Sequence, residues 1–220
     1  MEWMQEVDAY CERLGPGLWA EPLNALTNAA FVIAAFVMWR RVRGQGLPLV
    51  GALIAILTVI GLSSGLWHTA ARAYSGALDS VSILVFILVY LFAANRYFFG
   101  LSKGIALIAT AGFVPFVAAT GWAFAQLPFF GISASYWPVP LLIIAAALVL
   151  RCSSPVTARG MALGAALLVV SISVRSLDAS LCATLPIGTH FVWHCLNALM
   201  LGWMIEVLRR HLLARPMVRR

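Results

Sequence analysis

From Leu47 to Ala71 the chain carries no Lys, Arg, Asp or Glu, and Leu, Ile, Val, Ala and Gly fill most of the stretch. About 20 such residues in a helix cross the hydrocarbon core of a bilayer. Every backbone group inside lipid must be satisfied within the chain, which leaves only helices or a closed barrel. The short alternating segments of a barrel are absent. Comparable apolar runs recur, and we read seven spans at 24–40, 47–68, 78–98, 104–125, 136–152, 160–181 and 188–208. Composition agrees, with 62% hydrophobic and 10% charged residues, against about 25% charged in a soluble domain. The expected fold is an all-α membrane protein, a seven-transmembrane helix bundle forming a single domain over 1–220. Residues 1–23 are expected as an outer N-terminal segment and 209–220 as a basic cytoplasmic tail. The opening "MEWMQEVDAYCER" is acidic and lacks the basic and apolar regions of a signal peptide.

The net charge of +7 could suggest nucleic acid, but its distribution excludes that class. With the N-terminus outside, Arg40, Arg41, Arg43, Arg96, Lys103, Arg151, Arg159, Arg209, Arg210, Arg215, Arg219 and Arg220 fall inside. Arg13, Arg72 and Arg175 fall outside, so 12 and 3 make up the 15 basic residues. The positive-inside rule then gives N-out and C-in. The basic surplus reads as orientation and as contact with anionic membrane lipids. Of the 8 acidic residues, only Glu206 falls inside.

Ionisable groups at membrane depth are costly and point to function. In this topology His68 ends span two, Asp79 begins span three, Asp178 nears the outer end of span six, and His190 and His194 open span seven. Three of the 4 histidines therefore share one membrane level. His190 and His194 are one helical turn apart on one face, as are Ser64 and His68. Three imidazoles from two helices suit a catalytic zinc, which keeps a fourth position for water. Residue 191 is Phe, so this is not a His-Glu-x-x-His motif and the proton acceptor must come from elsewhere. Asp79 is the carboxylate nearest His68 in sequence. Other readings stay open: the histidine pair could pack between helices or ligate a haem, and Ser64 could bond back to its own helix. Asp178 reads as the ion-pair partner of Arg175 at i−3. The small-residue runs "GLSSG" and "GMALGAAL" allow close helix contact within one chain or between chains.

Three blocks together resemble the alkaline ceramidase family, seven-span zinc amidases of the superfamily that includes adiponectin receptors. They are "CERLGPGLWAEPLNALTN" from Cys11, "SGLWHTAARAYSGALD" from Ser64 and "HFVWH" from His190. The aspartate 11 residues after the first histidine favours the ceramidase branch over the receptors. The resemblance implies that His68, His190 and His194 hold Zn2+. It implies that Asp79 moves a proton from the attacking water to the leaving amine, and that Ser64 supports the ion's surroundings or the oxyanion. The implied activity is intramembrane hydrolysis of ceramide, or a related lipid amide, to a fatty acid and a long-chain amine. A zinc-containing membrane receptor or sensor without turnover is the alternative.

The resemblance also implies a Cys11–Cys182 disulfide, both cysteines lying on the outer side where disulfides persist. Cys152 and Cys195 are expected reduced. The resemblance further implies a Ca2+ site near the N-terminus, as in the family's animal members, which here would fall to Asp8, Glu12, Glu21 and backbone carbonyls. The chain departs from that pattern at Ala9, at Leu14 and in the shorter Glu12–Glu21 interval, and Thr27 replaces a serine. A solvated acidic segment is the competing reading. The expected location is a bacterial inner membrane with the site near the periplasmic face; the oligomeric state is open.

Overall fold

A computed structural model describes residues 2–214; the basic residues Arg215, Arg219 and Arg220 lie outside the described residues. The described chain is helical, with α1 (Pro22–Thr27), α2 (Ala29–Val42), α3 (Pro48–Ala70), α4 (Ala73–Ala93), α5 (Lys103–Ala111), α6 (Phe113–Ala125), α7 (Pro128–Gly131), α8 (Pro138–Leu150), α9 (Pro155–Leu181) and α10 (His190–Ala214). A π-helical turn, Ala94–Phe98, continues α4.

Among the described residues, six helical stretches are long and apolar enough to cross a membrane: Pro22–Val42, Pro48–Ala70, Ala73–Phe98, Lys103–Ala125, Pro155–Leu181 and His190–Ala214. The expected seventh span over 136–152 does not reach that length. Pro138 at its first turn limits α8 to 13 residues, and the preceding residues form the short α7 and turns. Two of the six stretches are interrupted. Asn28 stands between α1 and α2, its amide donating to the Asn24 carbonyl at 2.8 Å, and Gly112 stands between α5 and α6.

Helix α10 is the most buried of the long helices and packs on α9, α2 and α3. Leu53, Leu57 and Ile60 of α3, Ile172 of α9, and Ile205 and Leu208 of α10 form the dry centre. Large apolar side chains such as Ile108, Trp122 and Val149 are exposed on the periphery, where lipid rather than water would meet them. The glycines of "GMALGAAL" serve contact within the chain: a Cβ at Gly160 would lie 2.7 Å from Val207, and one at Gly164 would collide with Met204. Small residues let the α9 and α10 backbones approach in this way.

The N-terminal segment crosses one end of the bundle. Its backbone pairs with the α3–α4 turn, where Val7 donates to the Ala71 carbonyl at 2.9 Å and the Gln5 carbonyl accepts from Ala73 at 3.0 Å. The Ala73 and Tyr74 N–H groups, which a helix start leaves orphaned, thereby find partners. Farther on, Cys11 is bonded to Cys182 just beyond α9. Cys152 and Cys195 are unpaired.

Candidate metal centre

The α3 C-terminus and the α10 N-terminus meet beneath that segment. His68 stands in the last turn of α3, His190 is the first residue of α10, and His194 follows one turn later. All three are buried. Their ring centroids are 5.1 Å (His68–His190), 4.7 Å (His68–His194) and 4.6 Å (His190–His194) apart. One ring nitrogen from each lies within 4.8 Å of the others, the only such group of His, Cys, Asp or Glu among the described residues.

Hydrogen bonds on the far side of two rings decide which nitrogen is left bare. Glu21 Oε2 accepts from His68 Nδ1 at 2.6 Å, leaving His68 Nε2 without a partner. Thr27 Oγ1 lies 2.9 Å from His194 Nδ1. Its single proton is directed to the Leu23 carbonyl at 2.8 Å, so the hydroxyl oxygen accepts from His194 and Nε2 is again bare. His190 Nδ1 also lacks a partner. Buried polar atoms rarely stay unpaired, and three clustered imidazoles that each keep a bare ring nitrogen are a donor set that could hold a metal ion. Carboxylate and hydroxyl partners on the outer ring nitrogens are the usual support of such ligands.

Asp79 and Ser64 complete the group. Asp79 stands in the second turn of α4, with Oδ1 buried and unpartnered. The groups acting on its carboxyl are the His68 imidazole, the Ser64 hydroxyl and the Arg175 guanidinium. Ser64 is buried one turn below His68 on α3.

Four residues here carried no sequence signal for their role. Tyr10 stacks on His190 with centroids 3.8 Å apart and accepts from Trp67 Nε1 at 3.3 Å, roofing the centre from outside. Burial pushes its phenol above the ordinary value, so it stays protonated. Thr27 and Glu21 orient histidines, and Arg13 donates to Glu21 Oε1 at 2.5 Å. Burial pushes the Glu21 carboxyl up. Hydrogen bonds from His68, Arg13 and Asn24 outweigh that and hold it below the usual carboxylate range.

The Asp178–Arg175 ion pair read from the sequence is replaced by other partners. Asp178 Oδ1 accepts from the Thr189 and His190 N–H groups at 2.6 and 2.9 Å, and Oδ2 from Cys11 N–H at 3.1 Å. The carboxylate thus sits at the start of α10, where orphan donors and the helix dipole favour an anion. Arg175 donates to Ser133 Oγ at 2.9 Å and lies over the Tyr136 ring. The three acidic residues considered for calcium do not converge. Glu12 accepts from Leu23 and Asn24 N–H at 2.6 and 2.8 Å, capping α1. Glu21 serves His68 and Arg13, and Asp8 is exposed.

An apolar cavity of about 330 Å³ opens between α4, α8, α9 and α10. Tyr136 and Trp193, the latter the residue before His194 and in ring contact with the former, line it together with Phe86, Leu168, Met200 and Met204.

Fold and site together define a helical membrane protein with a buried three-histidine centre, a carboxylate beside it and an apolar cavity adjoining it. A ceramidase family model matches residues 10–212, and the chain belongs to that family. No curated protein matches it.

Proposed function

We propose that the protein is an intramembrane zinc-dependent amidase that splits ceramide, or a closely related lipid amide, into a fatty acid and a long-chain amine. The observation that carries the reading is the cluster of three buried imidazoles, one ring nitrogen of each within 4.8 Å of the others, with the Asp79 carboxylate near His68. Membership of the ceramidase family supports the substrate class. His68, His190 and His194 would hold the ion. Zinc bound by three neutral imidazoles supplies Lewis acidity and lowers the pKa of a water it binds to about 7.

The chain's own groups then divide the work. Asp79 Oδ1 takes a proton from the attacking water as oxygen adds to the amide carbon. It returns that proton to the amide nitrogen as the C–N bond breaks, because an amine leaves poorly without one. Ser64 Oγ donates a hydrogen bond to the charge developing on the carbonyl oxygen. The apolar cavity, which Tyr136 and Trp193 help to line, holds a hydrocarbon chain. The N-terminal segment, roofed by Tyr10 and tied by Cys11 to Cys182, keeps bulk water from the outer side. With seven crossings, the positive-inside rule would put this end at the outer face of the membrane.

The test is hydrolysis of a defined ceramide by purified protein, followed by mass spectrometry of both products. Wild type should release fatty acid and amine in equal amounts, while Asp79→Asn should lose turnover and keep its metal. Turnover surviving in Asp79→Asn would remove the proton-transfer role. Metal without hydrolysis of any lipid amide would favour a receptor or sensor.

A further inference from the structure

Family members are expected to hold calcium beside the N-terminal Cys-Glu pair, and this chain does not supply the oxygens. A calcium ion needs about six or more oxygen ligands. Both Glu12 oxygens are taken by backbone N–H groups, both Glu21 oxygens by Arg13, Asn24 and His68, and Asp8 is exposed. Ala9 and Leu14 have no side-chain oxygen to give.

A different cation stands there. The Arg13 side chain is only 4% exposed. Its Nε donates to Glu21 Oε1 at 2.5 Å, Nη2 to the His68 carbonyl at 3.3 Å and Nη1 to the Gly15 carbonyl at 3.4 Å. One carboxylate and two carbonyl oxygens, from three separate places in the chain, therefore face one permanent positive charge. Such a mixture of oxygens is what a bound hard cation collects. The guanidinium suits the position because its donors form a rigid planar fork and it never deprotonates.

The arrangement reaches the metal centre by two routes. Arg13 holds one Glu21 oxygen while the other holds His68 Nδ1. Arg13 also grips the His68 backbone directly. Without it, the buried Glu21 carboxylate would lose its close guanidinium partner, and an uncompensated buried charge is strongly destabilising.

We infer that Arg13 takes the place a bound cation would have: as a positioning residue it fixes Glu21, and through it His68, so that the centre is built without calcium. This rests on the zinc reading above.

The full chain, purified with zinc, tests it through zinc affinity, measured by chelator competition in calcium-stripped buffer and in millimolar calcium. The absorption spectrum of the cobalt-substituted protein serves as a second readout. Wild type should bind zinc equally in both buffers. Arg13→Ala should bind it about 10- to 100-fold more weakly, the usual loss when support to a ligand is removed. Added calcium or guanidinium ion should recover part of that loss and restore the cobalt spectrum. Calcium-dependent zinc binding in wild type would overturn the inference, and so would wild-type affinity in Arg13→Ala. Weakening that neither ion relieves would mark a merely structural arginine and overturn it too. If Arg13→Ala does not fold, Arg13→Lys should show weaker zinc binding, and wild-type affinity there would overturn the inference. A wild type that binds no zinc in either buffer would fail the metal reading itself.

Discussion

Replacing Asp178 by Asn probes how the first turn of α10 is set. One carboxylate accepts three backbone N–H groups, from Thr189, His190 and Cys11, at 2.6, 2.9 and 3.1 Å. The amide of Asn keeps one acceptor oxygen for Thr189 and His190 but turns an NH2 toward the Cys11 N–H, so one bond is lost and the negative charge with it. A hydrogen bond to a charged group contributes about 1.5–3 kcal/mol, and a charge at a helix N-terminus about 0.3–1 kcal/mol. Allowing for relaxation, the substitution should cost about 2–3 kcal/mol. In a chain of this size that lowers Tm by roughly 4–12 °C, readable by thermal unfolding in detergent. Because the same bonds place His190, metal affinity should fall alongside. The effect should persist nearly unchanged in an Arg175→Gln background, since the two side chains, though one helical turn apart, hydrogen-bond to different partners. A Tm within error of wild type, or a loss that vanishes once Arg175 is replaced, would refute the reasoning and restore the Asp178–Arg175 ion pair.

Thr27→Val keeps shape but strips the acceptor from His194 Nδ1. Metal affinity measured by competition should fall about 10-fold or more while the fold persists. Gly188→Ala should be among the most damaging single-methyl changes. Gly188 has φ +62°, and a Cβ there would meet Asp178 Oδ1 and the Cys11 Cβ, so poor yield or a clear drop in Tm is expected. Removing the Cys11–Cys182 bond with Cys182→Ser opens a link across 171 residues. Chain entropy assigns such a link up to about 5 kcal/mol, and limited proteolysis should then cut the N-terminal segment first.

The membrane class and the histidine cluster were legible because lipid imposes a coarse rule. Apolar runs mark the helices, and a titratable residue within one stands out against them. Threaded as seven spans, the sequence puts His68 and His190 at the same end, and the structure does bring the last turn of α3 to the first turn of α10. What surrounds them was not legible. Helices in lipid are apolar on every side, so no stripe tells which face meets protein and which meets acyl chains. Tyr10 on His190, Arg13 on Glu21 and Thr27 on His194 are contacts of high sequence separation or across helix faces, and no spacing rule announces them. Asp178 was misread for a related reason. The i−3 spacing to Arg175 is a local pattern, whereas the orphan N–H groups that claim Asp178 belong to the next helix and to the N-terminal segment. The 136–152 run forms a shorter helix than its composition suggests, because Pro138 starts the helix late.

The central claim is that the three imidazoles are metal ligands. Zinc per chain, measured by elemental mass spectrometry on protein purified without added metal, tests it most directly with His194→Ala beside the wild type. The account predicts about one zinc in the wild type and almost none in the variant, the one-ion occupancy of a three-ligand site. Wild type with little zinc, or a variant loaded as fully as wild type, would contradict it.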